Sequence, residues 1–497
     1  MQKSIKEHKA KGHKNISFYF FDNNLLCSYV LMLFCSHNKR WEEAVNIGMK
    51  RILSMIIAGI MLLTGGCITD AVSTSPSDQP VPAADTLDMG YVLTGELSPV
   101  VRLAVRNPGS KTISIGRISL RDDVCGELRL NVDGLTGREF SDVEIRPNDS
   151  ILIFASVFPE ETGNDSGTTL LYHLDMETRG VTRGIVIRAV AQDVTRLCGF
   201  RVGSDVALSA GKPYQVFDSL VVEAGATLTL EPGCHLMFHG RDASLRVYGS
   251  LKSLGMPGRQ VELTADRVGN VAADIPYDVM SGQWAGLKLC SGSHDVELNY
   301  TSIRNTVNGV TADNVQGAPA LSIVGSQLRN SQGYALDVRN SDTFIAATEL
   351  TDAALGIVRF DGGSHVLNHC IIANYYLFAA PGGAALQLEN AQADIANTII
   401  YGNGSDVGIT GQGVRFRCCL LKTQTGDETV YLNCITGTEP LFYTDREKYI
   451  FDYRLRPESP ASGAADPAFT LPQSVIDRYG VAQPAGRPAI GAYSTAK

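Results

Sequence analysis

The chain has 497 residues, with 43 Lys or Arg against 52 Asp or Glu, a formal net charge of −9. That length exceeds one ordinary core and points to two or three domains, while the acidic balance disfavours nucleic acid and anionic lipid surfaces, which reward a basic face. Forty-nine glycines beside only 19% charged residues fit a turn-rich β protein better than a disordered one.

Met49-Lys50-Arg51 gives a basic start, Ile52 to Leu63 an apolar run of twelve residues, and Leu63-Thr-Gly-Gly-Cys67 a set of small residues ending on a thiol. An apolar run this short is a signal peptide and not a membrane span. The residues before Cys67 resemble a bacterial lipobox, which implies lipidation of Cys67 and a membrane anchor there; the bland alternative is a secretory signal with a chance cysteine. Upstream, Leu25 to Cys35 is too short to span and Asp22-Asn-Asn24 breaks its near side. Residues 1–48 are therefore expected to be an over-long extension, with Met49 as the start and 49–66 as the signal. Without the first 66 residues, 34 basic and 48 acidic side chains remain.

Residues 67–85, rich in Ser, Thr, Pro and Asp, read as a flexible tether. From 86 to 195 the pattern alternates, as in Val100-Val-Arg-Leu-Ala-Val105, Ile151-Leu-Ile-Phe-Ala-Ser-Val157 and Gly184-Ile-Val-Ile-Arg-Ala189, with turns at Arg106-Asn-Pro-Gly109, Pro147-Asn-Asp149 and Thr162-Gly-Asn-Asp-Ser-Gly167. About seven such strands in this span predict an immunoglobulin-like sandwich. Leu87-Asp-Met-Gly-Tyr-Val, Val105-Arg-Asn-Pro-Gly109 and Ile115 to Ile118 resemble the small sandwiches of the abnormal-spindle/Hydin type.

Residues 210–435 repeat themselves. Thr301-Ser-Ile-Arg-Asn305, Ser326-Gln-Leu-Arg-Asn330, Thr348-Glu-Leu-Thr-Asp352 and Cys370-Ile-Ile-Ala-Asn374 align, followed more loosely by Thr398-Ile-Ile-Tyr-Gly-Asn403 and Cys419-Leu-Leu-Lys-Thr423. Their anchors lie 25, 22, 22, 28 and 21 residues apart. Short β-branched strands on such a period predict a solenoid whose rungs bury one side-chain row per face, with Ser/Thr/Cys ladders and Asn at the bends. Eleven cysteines without a CxxC, several at inward anchor positions, read mostly as buried free thiols.

Gly282-Gln-Trp-Ala-Gly-Leu-Lys-Leu289, Ser291 to Tyr300 and Thr398-Ile-Ile-Tyr-Gly-Asn403 resemble right-handed parallel β-helix lipoproteins of the pectin-lyase-like class. In residues 436–497, Glu439-Pro-Leu-Phe-Tyr443, Tyr453-Arg-Leu-Arg-Pro-Glu-Ser-Pro-Ala461 and Ile490-Gly-Ala-Tyr493 resemble the choice-of-anchor Q domain. Here Ser462-Gly-Ala-Ala and Ala489 replace acidic residues of that pattern. An all-β chain follows: sandwich, right-handed parallel β-helix, and a tail expected to cap the last rung, whose open edge needs cover.

That resemblance brings in polysaccharide lyases and hydrolases, so catalytic sets matter. Asp122-Asp123 lies in the sandwich, and His239-Gly240 lacks the partners that polygalacturonase-like hydrolases carry. No linear pair of facing carboxyls emerges. His235/His239 and His365/His369 have metal-like spacing only on a helix; on a strand, four residues span about 13 Å, too far for one zinc. Asp313-Asn314, Asn340-Ser-Asp342 and Asp361-Gly-Gly could hold calcium or merely cap turns. Trp284 could stack on a sugar or pack at a rung junction, and Tyr375, Tyr376 and Tyr401 form an aromatic set suited to a carbohydrate face or to a core.

The expected function is a non-catalytic glycan- or protein-binding (adhesion) module anchored in the outer membrane, with no required cofactor and a polysaccharide or host protein as partner. The alternatives are a polysaccharide lyase or glycoside hydrolase with residues spread over rungs, and a structural spacer.

Overall fold

The structure, a computed structural model, describes residues 71–494 except 122–125, 268, 273–274 and 424–426. Cys67, the leader and Asp122-Asp123 lie outside the described residues.

Alternation in the first part builds two five-stranded sheets. One runs Val81–Pro82, Val101–Arg106, Ser150–Val157, Leu128–Val132, Leu135–Gly137; the other runs Thr86–Leu93, Val181–Gln192, Thr168–Thr178, Ile113–Leu120, Glu139–Ile145. Pairing is antiparallel except between Thr86–Leu93 and Val181–Gln192. Inward rows such as Ile151, Ile153 and Ala155 meet Ile115, Ile185 and Ile187 in one apolar core, because a two-residue period sends alternate side chains to the same side. Part of the expected tether is not free chain. Val81–Pro82 pairs with Val105 and Arg106, and the Ser73 N–H donates to the Thr112 carbonyl at 2.8 Å, so edge-strand backbone groups claim it.

The second part is nearly all strand, and its rungs stack in parallel; the short pair Asn270–Ala272 and Ile275–Pro276, in an excursion from the rungs, is antiparallel. Each rung carries three strands, for example Glu349–Ala353, Gly356–Asp361 and Ser364–Asn368, and each face stacks in register with its neighbours. On the first face Leu263, Ile303, Leu328, Leu350, Ile372, Ile400 and Leu421 form one inward row. On the second, Leu287, Val310, Leu336, Val358, Leu386 and Val407 do the same. Leu298, Ile323, Ile345, Leu367, Ile395 and Phe416 line the third. The three rows share a single core.

The repeat's anchor explains the corner between the third face and the first. Tyr300, Gly325, Ala347, His369, Asn397, Cys418 and Asn433 are all left-handed there, with φ between 44° and 59°. The next residue in each rung is the small hydroxyl or thiol. Its γ-atom accepts a backbone N–H from the adjacent rung, as Ser326 Oγ does from Thr301 N at 2.9 Å and Thr398 Oγ1 from Cys370 N at 3.2 Å. Asn305, Asn330 and Asp352 occupy the next corner, again left-handed, at φ 67°, 59° and 55°, a conformation that Asn and Asp tolerate.

Residues 436–494 do not simply close the open end. They run back along the first face, where Phe442, Tyr453, Leu455, Ile490 and Tyr493 pack on Ile371, Ala373, Ile399 and Leu420. The contact extends to the early rungs, with Gln260 Nε2 donating to the Arg478 carbonyl at 2.8 Å. The physical reason lies in the outward row of that face, which turns from polar to apolar at Ile371 and needs cover from water. The segment is a lateral strap.

Trp284 is fully buried, its ring stacked on Phe238 with centroids 4.0 Å apart and its N–H donated to the Arg304 carbonyl at 2.8 Å. Trp284→Ala should therefore cost about 3–5 kcal/mol, read as a lowered urea midpoint.

Candidate functional site

Three outward surfaces offer chemistry, and they differ in what covers them. On the first face, Gln327, Glu349, Thr351 and Asp352 are buried although they point away from the core, because the strap and the excursion between Ala265 and Gly286 lie over them. Asp278 of that excursion reaches Arg304 Nε at 2.8 Å and also Arg329, and Arg304 Nη2 reaches Glu262 at 3.0 Å. Burial pushes the Asp278 and Glu262 carboxyls up, but the facing guanidiniums outweigh it and hold both below their usual range. Two strap tyrosines anchor the middle of this seam: Tyr493 donates to Glu349, and the Tyr453 hydroxyl lies 2.6 Å from both Asp352 oxygens. The Tyr375 N–H adds a third bond to Asp352 at 2.9 Å. Burial nonetheless lifts the Asp352 carboxyl to about 7. A small cavity of about 20 Å³ beside it is lined by Asp278, Arg329, Asn330, Asp352, Tyr376 and Phe451. Every carboxylate named in this seam is engaged by an arginine or a tyrosine, so the seam holds the strap down.

The second face is open. Its outward side chains form two rows in register across the rungs, Arg246-Lys288-Thr311-Asp337-Arg359-Gln387 and Asp313-Arg339-Asp361-Glu389; all ten are exposed or half-buried. Arg359 grips Asp337 through Nε and Nη2 at 2.9 and 2.8 Å and lies 5.1 Å over the Tyr334 ring. Asp361 and Glu389 stand opposite each other on neighbouring rungs, whose backbones are about 4.8 Å apart. At the sandwich end a hollow of about 550 Å³ is lined by Ser244, Arg246, Lys288, Asn308 and Thr311.

Where the third face meets the strap, a groove of about 1200 Å³ is lined by Met256, Pro257, Glu297, Asn299, Tyr300, Ser322, Phe344 and Gln473. Tyr300 lies so flat on Gly325 that a Cβ there would sit 2.5 Å from the ring. A further cleft of about 960 Å³, between the sandwich and the solenoid, holds Glu96, Leu97, His239, Asp266 and Tyr277. Within it His239 Nδ1 is 2.6 Å from Asp266 Oδ2, and the Gln215 amide bridges Asp266 and Glu96.

The aromatic residues singled out from the sequence do not share an open face. Trp284 is in the core and has no ring face left for a sugar. Tyr375 and Tyr401 pack against the strap cluster, Tyr375 beside Phe442 and Tyr453. Tyr376 is buried, with its hydroxyl 2.6 Å from Ser281 Oγ and its carbonyl accepting from Arg446. The apolar half of the first face thus draws the strap over Tyr375 and Tyr401, which stay half-buried. The histidine pairs diverge. His235 meets Thr264, His239 meets Asp266, His365 stacks on Phe360, and His369 meets Thr470 and Asn397. Burial pushes His235, His365 and His369 down to about 4, which leaves neutral rings at pH 7. The turns considered for calcium are corners, with Asn314, Asn340 and Gly362 left-handed and Asp342 accepting from Ser364 N at 2.8 Å. Among the described residues, no three His, Cys, Asp or Glu gather as a metal site.

Sequence reasoning missed Tyr300, Phe344, Asp337 and the Asp361/Glu389 juxtaposition. The last was within reach, because 361 and 389 differ by 28, the same interval that separates the anchors Cys370 and Thr398.

No family model matches the chain, and no curated protein matches it. Among solved structures, a protein of unknown function from Porphyromonas gingivalis is 20% identical over 24% of this chain and 50% of that one, with a TM-score of 0.18. The chain thus matches half the length of that protein. The catalytic domain of a GH87 α-1,3-glucanase in complex with nigerose is 9% identical over 68% of this chain and 88% of its own, at a TM-score of 0.13. Likenesses of this size carry no argument about function.

Asp352 generates a pH prediction. Its folded value of about 7 lies above the ordinary 3.8, so the fold favours the protonated acid. That contribution is whole below about pH 4 and is lost as pH rises through 7, up to about 4 kcal/mol. Asp352→Asn, which mimics the protonated acid, should flatten the pH dependence of the urea midpoint over that interval and raise stability at pH 8. An unchanged pH profile would refute the assignment.

Proposed function

We propose that the chain is a non-catalytic binding module on a β-helix scaffold, engaging an extended polymer through its open second face. The observation carrying this is the contrast between faces. The first face has its polar groups consumed by the strap and the excursion before Gly286, whereas the second presents two charged and polar rows, one across six rungs and one across four, without cover among the described residues. Regular rows at a spacing of about 4.8 Å suit a repeating ligand that makes many modest contacts, and a glycan is the polymer whose hydroxyls pair with both guanidinium and carboxylate groups. The resemblance of the solenoid to pectin-lyase-like lipoproteins, of the tail to the choice-of-anchor Q domain and of the sandwich to the abnormal-spindle/Hydin type supports the same reading. So does the lipobox-like stretch before Cys67, which would anchor the protein in the outer membrane at the cell surface or facing the periplasm.

A second reading rests on one pair of residues. Asp361 and Glu389 face each other across rungs as the two carboxyls of a glycoside hydrolase must, and their place on the open face leaves them accessible.

The test offers the purified chain a panel of plant, host and microbial polysaccharides, with and without calcium, and measures both retention and soluble products. Retention without products is expected, weakened roughly tenfold by Arg359→Ala, a loss of about 1.4 kcal/mol. New reducing ends or unsaturated uronates, abolished in Asp361→Asn or Glu389→Gln, would overturn the binding reading in favour of the hydrolase or lyase. Neither retention nor products would leave a spacer.

A further inference from the structure

We propose that Cys419 and Cys434 are a redox-sensitive thiol pair that closes to a disulfide, stapling the last two rungs of the solenoid, when the chain meets an oxidising disulfide. The placement comes from the repeat. Cys419 and Cys434 occupy the same anchor position on successive rungs, one residue before the paired Leu420 and Ile435, and the Ile435 N–H donates to the Cys419 carbonyl at 2.8 Å. Parallel neighbours lie about 4.8 Å apart, inside the roughly 4.4–6.8 Å that Cα atoms of a disulfide span. At every earlier described rung from Thr301 onward the ladder sets a thiol beside a hydroxyl, or two hydroxyls together: Thr301, Ser326, Thr348, Cys370, Thr398. Only here do two sulfurs stand next to each other in it, and both are free thiols.

The two differ in access. Cys419 is fully buried, whereas Cys434 is partly exposed. The neighbouring Cys419 thiol draws Cys434 below its ordinary value, while burial raises Cys419 well above it, so Cys434, the more accessible of the two, is the first nucleophile. Its thiolate attacks an external disulfide, forming a mixed disulfide and releasing one thiolate. The Cys419 sulfur then attacks the Cys434 sulfur, loses its proton to solvent and releases the second thiol. Two electrons pass to the external disulfide, which ends as two thiols. Cys418 is adjacent in sequence but excluded by the corner: it is left-handed at φ 51° and lies beside Asp466 of the strap.

The experiment treats the full native chain with oxidised glutathione, blocks remaining thiols with iodoacetamide and maps tryptic peptides without reduction. Cleavage after Arg417, Lys422 and Arg446 places Cys418 and Cys419 on one peptide and Cys434 on the next. The expected result is a link between these peptides in the wild type and in Cys418→Ser, absent in Cys419→Ser. Unlinked peptides, a glutathione adduct persisting on Cys434, or a link that survives Cys419→Ser would each overturn the proposal.

Discussion

One left-handed residue at the corner between the third and first faces, followed by a γ-oxygen or sulfur that accepts an N–H from the next rung, sets the register of the solenoid from Tyr300 onward. In a parallel sheet a slip of one residue would exchange inward and outward rows, so every later property rests on this corner. It works with unlike residues (Tyr300, Ala347, His369, Cys418), several of which pay the usual penalty of the left-handed region. The cost is met by the hydrogen bonds that the following side chain makes and by apolar rows that line up only in that register.

Given the register, the faces diverge by composition. The first is polar through Glu349 and apolar from Ile371, and one strap serves both halves: its tyrosines meet Glu349 and Asp352, and its apolar side chains cover Ile371 and Ile399. Carboxylates that look like catalytic candidates in isolation are therefore fastenings. The second face keeps its polar rows because, among the described residues, nothing comparable crosses it.

The repeating strands and corner hydroxyls were legible in the sequence because they depend on interactions within a rung or between rungs one period apart. Thr301, Ser326, Thr348 and Cys370 could be aligned by eye. The strap's path was not legible, since Tyr453 reaches Asp352 across 101 residues and Tyr493 reaches Glu349 across 144, and no local pattern encodes which face a tail will choose. Trp284 illustrates the same limit: flanked by Gly282 and Gly286 it reads equally as a sugar platform or a wedge, and only the ring of Phe238, 46 residues earlier, decides between them. Pairs one period apart, such as Asp361 and Glu389, lie between these extremes and become visible once rungs rather than residues are counted.

The strap also leaves the ribosome or crosses a membrane later than the solenoid, yet it covers rungs made long before it. Until it arrives, Ile371, Ile399 and Leu420 form a bare stripe along an otherwise finished column, and the buried acids of the seam stand in water. Maturation thus has a built-in order: the column can zip up rung by rung, but it stays adhesive until residues 436–494 settle. A chain cut short before the strap would have its whole column folded and still be unfit to be left alone.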